Sequence, residues 1–455
     1  MLEYENHSSE EFITSLCDEF RKDNYIPPEA CTNLCVRRGL RNSDGTGVLA
    51  GLTLVGNVRG YTVVDAERKP IKGQLLYRGI DVEDIVENIA NEDRFGYEEV
   101  AYLLLFGKLP TEERLLLFKK LIEDNRALPK NFTEDMIIKA PSRDIMNKLG
   151  RSVLTLYSYD DRADDLSLEN VMRQSIQLIA RMPIIAAQAY QVKRHYFHND
   201  SMYLHIPPEN LSTAETLLYC IRPDKSYTKE EARLLDLCLI LHAEHGGGNN
   251  SAFTCRVLSS SGTDTYSAVA GALGSLKGPL HGGANSQVCR MMEDIQENVR
   301  NWKDDDEVKN YLRQIIRKEV GDHSGKIYGM GHAVYTLSDP RAVLLKKYAR
   351  ELAVKRGFDD RFSLIESVER LTPEVFREEK GDTKALCANV DLYSGLVYEM
   401  LNIPTPLYTP IFAIARTVGW CAHRIEEITT GGRIIRPAYK SISPDTPYTP
   451  IANRG

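Results

Sequence analysis

The spacing of apolar and polar residues changes once along the chain and separates a short β region from a long helical one. Between Val48 and Tyr77 glycines are frequent, and Val and Thr alternate with other residues around positions 61–65, which is typical of strands. From Asp81 onward apolar residues recur at every third or fourth position, the period of an amphipathic helix. The pattern therefore predicts a mainly α protein with a small N-terminal β region.

Capping residues mark several helix boundaries. One helix is predicted from Glu10 to about Lys22, before a polar loop. The apolar segment 98–106 runs into Gly107, a typical C-terminal signal, and Thr111 precedes two glutamates as the N-cap of the next helix. Further helices are predicted at 141–158, 168–192, 211–220, 229–243, 265–277, 284–300, 306–318, 340–356, 392–402 and 409–428.

Composition and charge exclude several classes of protein. Of the 455 residues, 42% are hydrophobic and 27% are charged, which is globular usage and suits one large domain or two intimate ones. The 57 lysines and arginines stand against 64 aspartates and glutamates, and the net charge of −7 argues against a general nucleic-acid binder. No apolar run approaches the ~18–20 residues of a membrane span, so no membrane association is predicted.

Two features predict a cytoplasmic protein. The first residues carry acidic side chains where a secretory or mitochondrial signal would carry basic ones. The nine cysteines are odd in number, scattered and without a C-x-x-C pair, so we expect reduced thiols rather than a disulfide framework.

Candidate chemistry concentrates between residues 242 and 332, where five of the ten histidines lie. His245, His281 and His332 each stand beside glycines, which allow backbone amides to approach a ligand closely. A single histidine is more often structural than catalytic, but three glycine-flanked histidines on successive loops indicate a functional site.

The pair His242 and His245 is also compatible with a metal site, because residues three apart share one helix face. The zinc-protease pattern H-E-x-x-H requires a spacing of four with glutamate after the first histidine, whereas here Glu244 precedes the second. No cysteine pair or further histidine stands nearby at metal-ligand spacing. We therefore predict no metal site.

One aspartate and one arginine occupy unusual positions. Asp391 lies in an otherwise uncharged stretch between Lys384 and Glu399. If it is buried beside a substrate, its pKa should rise and it could act as a general base; the alternative is an N-cap for a helix that begins at Leu392. Arg416 lies within an apolar helix, where a guanidinium is seldom left unpaired, so it binds either a ligand carboxylate or a structural partner.

Two further arginines are less informative alone. Arg341 follows an Asp-Pro pair shortly after His332, and Arg436 precedes a proline near the end of the chain. A structural ion pair is the simpler interpretation of both until another observation links them to a site.

Taken together, several segments resemble the citrate synthase family, in order and at plausible spacing from about residue 45 to 440. The segments are GPLHGGAN (278–285), GMGHAVY followed by DPR (329–341), NVDLYSG (389–395) and FAIARTVGW (412–420), with LYRGI (76–80) and EEVAYLLLFG (98–107) before them.

The resemblance implies a two-domain, all-helical fold in a homodimer, or in hexamers built from such dimers. The large domain would comprise residues 1–282 and a return segment 392–455, and residues 283–391 would form a small domain that closes over the substrate. Hinges would lie near residues 282 and 391.

The resemblance also implies an activity and a set of catalytic residues. Enzymes of this family condense oxaloacetate with the methyl carbon of acetyl-CoA and hydrolyse citryl-CoA to citrate and CoA, in the tricarboxylic acid cycle. By motif, His281 hydrogen-bonds the thioester carbonyl, Asp391 removes the methyl proton, and His332 polarises the oxaloacetate ketone. No metal or cofactor is implied, because the CoA thioester is a co-substrate.

Binding residues follow by the same matching. The residues matched to oxaloacetate binding are His245, Asn249, Arg341 and Arg416, with Arg436 contributed across the homodimer to the partner subunit's site. The residues matched to acetyl-CoA binding are Asn389 and Lys384.

Three other functions are alternatives to citrate synthase. A 2-methylcitrate synthase would use propionyl-CoA with the same machinery, and one methylene is worth only ~1–3 kcal/mol in a pocket, so the motifs do not decide between the two donors. A non-catalytic sensor should lack the catalytic trio, which is present in this chain. A metal-binding module is disfavoured by the histidine spacing.

The sequence also departs from the family in one place. The interval from Tyr335 to Ser338 carries no basic residue, although many relatives have one there. A contact to a CoA phosphate would then have to come from another lysine or arginine.

Overall fold

The structure is a computed structural model that describes residues 9–64, 67–381 and 385–454. Lys384, predicted to contact acetyl-CoA, lies outside the described residues. The chain divides into two compact units, Met1–Leu52 and Thr53–Gly455. Within the second unit, the predicted division into a large and a small domain near residues 282 and 391 stays a prediction.

The first unit contains the predicted N-terminal helix. Helix α1 spans Ser9–Asp23 and confirms the prediction for residues 10–22. It is followed by the short helix α2 (Pro28–Asn33), which begins at a proline, and by one 3-10 turn, Arg38–Leu40.

The β region is a small antiparallel sheet in the second unit. Strand β1 (Gly56–Val64) pairs with β2 (Glu67–Tyr77), and β2 pairs with the two-residue strand β3 (Ile80–Asp81). This confirms the β prediction for residues 56–64 and 67–77, whereas residues 48–55 form no strand. Leu52 and Leu54 are 87% and 79% exposed, whereas Val55, directly before β1, is buried.

Helices make up most of the second unit, as the periodicity predicts. They are α3 (Val82–Asn91), α4 (Tyr97–Phe106), α5 (Glu112–Asp124), α6 (Ile145–Leu156), α7 (Leu168–His198), α8 (Thr213–Ile221), α9 (Lys229–His242), α10 (Asn250–Ser260), α11 (Thr265–Lys277), α12 (Ala284–Asn298), α13 (Asp305–Ile316), α14 (Pro340–Lys355), α15 (Asp359–Lys380), α16 (Asp391–Met400) and α17 (Tyr408–Thr429). Short helical turns occur at Thr133–Ile138, Tyr157–Tyr159, Thr405–Leu407 and Ile451–Asn453.

Both capping predictions are confirmed. Gly107 ends α4 in the left-handed conformation with φ of 79°, and the side chain of Thr111 accepts a hydrogen bond from the Arg114 amide at the start of α5. Four helices, α2, α3, α10 and α15, were not among the predicted segments. Helix α10 begins with polar residues and has weak periodicity, and α15 is highly charged and contains Pro373.

The core is built around α17. This helix packs against α4, α7, α9, α10 and α11, and its residues are buried almost continuously from Tyr408 to Ile425. A helix that is apolar on all sides is expected in the centre of a large protein. No helix in the described ranges is long and apolar enough to cross a bilayer.

Candidate active site

One face of α17 forms the floor of the candidate site. Residues at i, i+3, i+4 and i+7 share a helix face, and on α17 these positions are Arg416, Gly419, Trp420 and His423. The face is turned toward the loop between α9 and α10, which carries His245, and toward the start of α10. Two segments that are far apart in sequence, the region from His242 to Ser251 and helix α17, therefore meet at this face.

Arg416 is fully buried on this face. Its Nε donates to the carbonyl oxygen of His242 at 2.6 Å, and neither Nη1 nor Nη2 has a hydrogen-bond partner among the described residues. Burial lowers the pKa of Arg416 to about 10, although Glu244 opposes this, so the guanidinium is charged at neutral pH. A buried cation with unpaired donors is costly and is suited to a carboxylate ligand.

His245 lies on the loop after α9, and its Nε2 atom is buried without a hydrogen-bond partner in the described chain. Burial and the charge of Arg341 hold its pKa well below the ordinary value, so the ring is neutral. The rings of His245 and His332 are perpendicular, with centroids 5.1 Å apart. Two of the predicted histidines are thus brought together.

His332 is held in one tautomer by its own loop. Its Nδ1 accepts hydrogen bonds from the amides of Val334 at 3.1 Å and Tyr335 at 3.0 Å. In the neutral ring the proton is therefore on Nε2. The ring also stacks on Tyr335 with centroids 4.6 Å apart.

The sheet fixes the position of the His332 loop through two glycines. A Cβ atom on Gly60 would lie 2.3 Å from the Val334 carbonyl oxygen, and one on Gly73 would lie 2.0 Å from the Ser338 carbonyl oxygen. The Gly73 amide also donates to Ser338 Oγ at 3.1 Å. The frequent glycines of the β region therefore permit close approach of a functional loop.

Arg341 is buried at the start of α14 beside the same loop. Its Nε and Nη2 donate to Asp339 at 3.0 and 2.7 Å, so one edge of its guanidinium is paired within the protein. The structural ion pair considered from the sequence is therefore present. Arg341 and Arg416 differ in this respect, because the Nη groups of Arg416 have no such partner.

His281 follows α11 and is held by the start of α10. Its Nε2 accepts from the Ser251 amide at 3.3 Å and contacts Ser251 Oγ at 3.0 Å, which places the ring proton on Nδ1. Ser251 Oγ in turn accepts from Trp420 Nε1 on α17 at 3.1 Å. Burial, with a smaller effect of Arg416, lowers the pKa of His281 to about 4, so this histidine is also neutral.

Asn249, predicted to bind oxaloacetate, is the N-cap of α10. Its Oδ1 accepts from the amide of Ser251 at 3.2 Å and from its hydroxyl at 2.9 Å. Asn249 thus contacts Ser251, the residue that holds His281, and its side-chain Oδ1 is engaged in capping the helix.

Asp391 is the first residue of α16 and is connected to the His332 loop through Asn389. The Asp391 amide donates to Asn389 Oδ1 at 3.0 Å, and Asn389 Nδ2 donates to the Gly331 carbonyl oxygen at 2.9 Å. Both ends of the Asn389 side chain are therefore used within the protein, at a position predicted to contact acetyl-CoA.

The carboxyl group of Asp391 has the properties of a candidate base. Burial raises its pKa to about 6, although Arg341 opposes the shift. The alternative interpretation as an N-cap is wrong, because the helix begins at Asp391 itself and its N-cap residue, Val390, makes no side-chain cap. A carboxylate that is partly desolvated in this way is a stronger base than one in water.

Contacts within the described chain do not bring Arg436 to this cluster. It lies exposed on the extended segment after α17, where the neighbouring Ile435 amide donates to Ser260 Oγ at 3.0 Å. The predicted contribution of Arg436 to a partner's site stays a prediction.

The pair His242 and His245 does not form a metal centre with other residues in the described ranges, where no group of three or more His, Cys, Asp or Glu is arranged to hold an ion. His242 instead contacts the Cys238 carbonyl oxygen of its own helix through Nδ1 at 2.7 Å. Burial lowers the pKa of His242 to about 3, so it is neutral.

Sequence reasoning missed several residues that support the site: Glu244, Ser251, Tyr335, Trp420 and His423. One signal was available, because His423 follows Arg416 by seven residues in a helix that is mainly apolar up to Ala422. The partners of these residues are far away in sequence, and no local pattern identifies them.

Comparisons with known proteins agree with this geometry. A family model described as "Citrate synthase, C-terminal domain" matches residues 46–438. A citrate synthase of Synechocystis sp. is 35% identical over 386 residues, which cover 84% of this chain and 88% of the relative. A 2-methylcitrate synthase of Shewanella oneidensis is 34% identical over 416 residues, which cover 89% of this chain and 98% of the relative.

Solved structures give the same result. A citrate synthase of Thermoplasma acidophilum, in ternary complex with carboxymethyl coenzyme A and oxaloacetate, superposes with a TM-score of 0.74 and 27% identity and covers 92% of this chain and 99% of that one. The segments that carry the resemblance lie within the matched range, and the resemblance to this family is confirmed. The chain belongs to the citrate synthase family of acyltransferases and has the mainly helical fold of that family.

Proposed function

We propose that the chain catalyses the citrate synthase reaction of the tricarboxylic acid cycle, in which acetyl-CoA condenses with oxaloacetate and citryl-CoA is hydrolysed. The observation that carries the proposal is Arg416, a buried guanidinium whose two Nη groups have no partner in the described chain. It lies beside neutral histidines and a carboxyl group with a raised pKa. An anionic substrate at the centre of this cluster would supply the missing hydrogen bonds.

Oxaloacetate is the proposed anion. One carboxylate would accept from both Nη groups of Arg416, and the unpartnered Nε2 of His245 lies in the same cluster. Arg341 is paired with Asp339 through Nε and Nη2, and the rest of its guanidinium would bind the second carboxylate together with a further cation. In the proposed homodimer that cation is Arg436 of the neighbouring copy.

The first chemical step is proton removal from the thioester methyl group. Asp391 would take this proton, and the electron pair would move to the carbonyl oxygen, which becomes an enolate or enol. His281 would donate its Nδ1 hydrogen to that oxygen. A neutral imidazole donor and a carboxylate base on two different loops supply both parts of this task.

The second step forms the new carbon–carbon bond. The enol carbon would attack the oxaloacetate ketone while His332 donates its Nε2 hydrogen to the ketone oxygen, which becomes the hydroxyl of citryl-CoA. Water would then hydrolyse the thioester and release CoA. We propose that residues 283–391 close over the substrates to delay this hydrolysis until condensation is complete.

Neither a metal nor a redox cofactor takes part in the proposed reaction, because the CoA thioester is consumed as a co-substrate. A cytoplasmic location is proposed together with this function. It is supported by the cysteines, all of which are free thiols.

A second candidate is 2-methylcitrate synthase, which would use propionyl-CoA. It is favoured by the Shewanella oneidensis relative, whose 34% identity is close to the 35% of the citrate synthase of Synechocystis. The same catalytic groups would serve both donors, which differ by one methylene.

The test is steady-state CoA release, followed with a thiol reagent, with acetyl-CoA and propionyl-CoA at saturating oxaloacetate. We expect kcat/KM for acetyl-CoA to exceed that for propionyl-CoA by about tenfold or more, or about 1.4 kcal/mol of transition-state preference. Equal or reversed values would favour 2-methylcitrate synthase. No oxaloacetate-dependent release with either donor would overturn the enzyme assignment.

A further inference from the structure

Glu244 is a fully buried carboxylate between His242, the last residue of α9, and His245 on the α9–α10 loop. Its Oε1 accepts from the Gly246 amide at 2.5 Å and from His423 Nε2 at 2.8 Å. Its Oε2 is buried without a hydrogen-bond partner among the described residues. The carboxylate therefore attaches the loop around His245 to α17 through a single oxygen.

His423 is itself fixed from the opposite side. Its Nδ1 accepts from Arg256 Nε at 3.2 Å and from Arg256 Nη2 at 2.7 Å, so the ring proton is on Nε2, where it is donated to Glu244. Arg256 is also paired with Glu426 and, at 2.8 Å, with Glu427. The tautomer of His423 is thus determined by a salt-bridged arginine on α10.

The close approach of Glu244 to α17 requires a glycine at position 419. A Cβ atom on Gly419 would lie 2.5 Å from Glu244 Oε2 and 2.5 Å from the Ala243 carbonyl oxygen. The same loop accepts the Nε hydrogen of Arg416 at the His242 carbonyl oxygen. The contacts of Glu244 with His423 and of Arg416 with His242 therefore connect the same two segments, about two turns apart on α17.

The charge of Glu244 also acts on Arg416. Burial alone would raise the pKa of Glu244, but His423 and Arg416 together lower it below the ordinary value, so the group is a carboxylate. Since the substrate would bind to the same guanidinium, Glu244 influences the substrate site through Arg416. Its Oε1 already accepts two hydrogen bonds within the protein and is not available to the substrate.

We propose that Glu244 is a positioning residue of this site, which holds the His245 loop against α17 through His423 and so places His245 and Arg416 for the substrate carboxylate. The proposal rests on the proposed function in that it takes oxaloacetate as the ligand of Arg416. Its expected effect is on oxaloacetate binding, because acetyl-CoA would be activated by His281 and Asp391 on other loops.

The first experiment compares Glu244→Ala with Glu98→Ala. Glu98 is a matched control: it is 3% exposed, one oxygen accepts from Thr213 through both the amide and the hydroxyl, and the other oxygen is buried without a partner in the described chain. The hydrogen bonds of Glu98 join α4 to α8 and involve no residue of the histidine loops. Both variants lose a similar buried carboxylate, but only one loses the attachment of the His245 loop.

We expect Glu244→Ala to raise KM for oxaloacetate about tenfold or more, as for loss of hydrogen bonds to a charged group, with KM for the acyl-CoA changed by less than about twofold. Glu98→Ala should lower the melting temperature but leave both KM values within about twofold. Equal effects of the two variants on KM for oxaloacetate would overturn the proposal.

The second experiment tests the connection through His423, and remains available if Glu244→Ala does not fold. A glutamine can donate to Glu244 and accept from Arg256, as the neutral histidine does, whereas an alanine does neither. His423→Gln should therefore retain KM for oxaloacetate within about twofold, and His423→Ala should raise it about tenfold. Equal KM values for these two variants would contradict the proposal.

The double variant Glu244→Ala/His423→Ala completes the cycle. If the two residues act as one unit, KM of the double variant for oxaloacetate should equal the higher of the two single-variant KM values, because the shared hydrogen bond is lost only once. Multiplicative effects would overturn the proposed unit. Failure of the proposed function is distinguishable, because the wild-type protein would then release no CoA, whereas failure of this inference leaves the wild type active.

Discussion

The Nε hydrogen of Arg416 points to the carbonyl oxygen of His242 at 2.6 Å, which leaves the two Nη groups of the same guanidinium buried and without a partner in the described chain. The backbone of the histidine loop thus orients the arginine without satisfying it. Buried donors of this kind destabilise a protein unless a ligand accepts from them. The arrangement is consistent with a site that is completed by an anion.

Substitution of Arg416 separates ligand binding from stability. We expect Arg416→Met to raise KM for oxaloacetate by about 100-fold or more, which corresponds to about 3 kcal/mol of lost charge-assisted hydrogen bonds. The free energy of unfolding should change little, because loss of the hydrogen bond to His242 and of the attraction to Glu244 is offset by removal of a buried charge whose Nη groups are unpaired in the described chain. Steady-state kinetics and urea denaturation measure the two effects.

Arg424 provides the matched control for this prediction. It is equally buried on α17, but its guanidinium donates to Ser259 at 3.1 Å, to Thr263 at 2.7 Å and to Thr265 at 3.1 Å. Arg424→Met should lower the free energy of unfolding by about 2–4 kcal/mol and leave KM for oxaloacetate unchanged. The same change in KM for both variants would contradict a ligand role for Arg416.

Replacement of Asp391 should abolish activity and stabilise the fold. Asp391→Asn removes the proposed base, so kcat should fall by about 10³-fold. Burial raises the folded-state pKa to about 6, above the unfolded value, so the wild-type carboxylate destabilises the protein increasingly as the pH rises through this range.

At pH 7 the variant should therefore be more stable toward urea by about 2 kcal/mol of unfolding free energy, and it should show little advantage near pH 3, where the group is largely protonated in both states. A destabilised variant at pH 7 would show that the Asp391 carboxylate is stabilised by partners rather than held in a desolvated state.

The pH dependence of kcat/KM for the acyl-CoA should be set by one titrating group, the Asp391 carboxyl. Because Asp391 must be charged to accept the methyl proton, kcat/KM for the acyl-CoA should rise about tenfold per pH unit below about 6 and level off above. Burial lowers the pKa of His281 to about 4, so this histidine is neutral above about pH 5 and should add no second change there. A loss of activity between about pH 6 and 7 on deprotonation of a histidine would contradict the assignment of a neutral His281 as the hydrogen-bond donor.

Gly73 should be intolerant of any side chain. The Cβ atom in Gly73→Ala would lie 2.0 Å from the Ser338 carbonyl oxygen, so the loop that carries His332 must shift. We expect about a tenfold lower kcat and a loss of about 1–3 kcal/mol in unfolding free energy. Gly150→Ala in α6 is the control, because its Cβ atom would meet no atom within 4 Å and alanine should stabilise the helix by about 0.5–1 kcal/mol.

The elements that the sequence predicts well are those with local signals. The cap at Thr111 and the end of α4 at Gly107 depend on neighbouring residues only, and both are found. The histidines, Asp391 and Arg416 were identified by unusual residue types in glycine-rich or apolar surroundings. The structure places Arg416 on one face of α17, brings the His245 loop against this face, links His281 to it through Ser251, and connects the His332 loop to Asp391 through Asn389.

The remainder depends on contacts across long stretches of chain. The approach of Gly73 to Ser338 spans 265 residues, and the bond between His423 and Glu244 spans 179. Neither has a periodic or capping signal, because each residue's partner is chosen by the tertiary fold. Helix α15 was missed for a different reason, since its charged residues and Pro373 obscure the helical period.

The face of α17 has a consequence for how the chain length can vary. Arg416, Gly419 and His423 each contact a different atom of one loop, so the count of residues between them is as important as their identity. One inserted or deleted residue would rotate everything beyond it by about 100° around the helix axis and move His423 away from Glu244. Insertions and deletions should therefore be excluded from this segment, while point substitutions elsewhere on the helix affect one contact at a time.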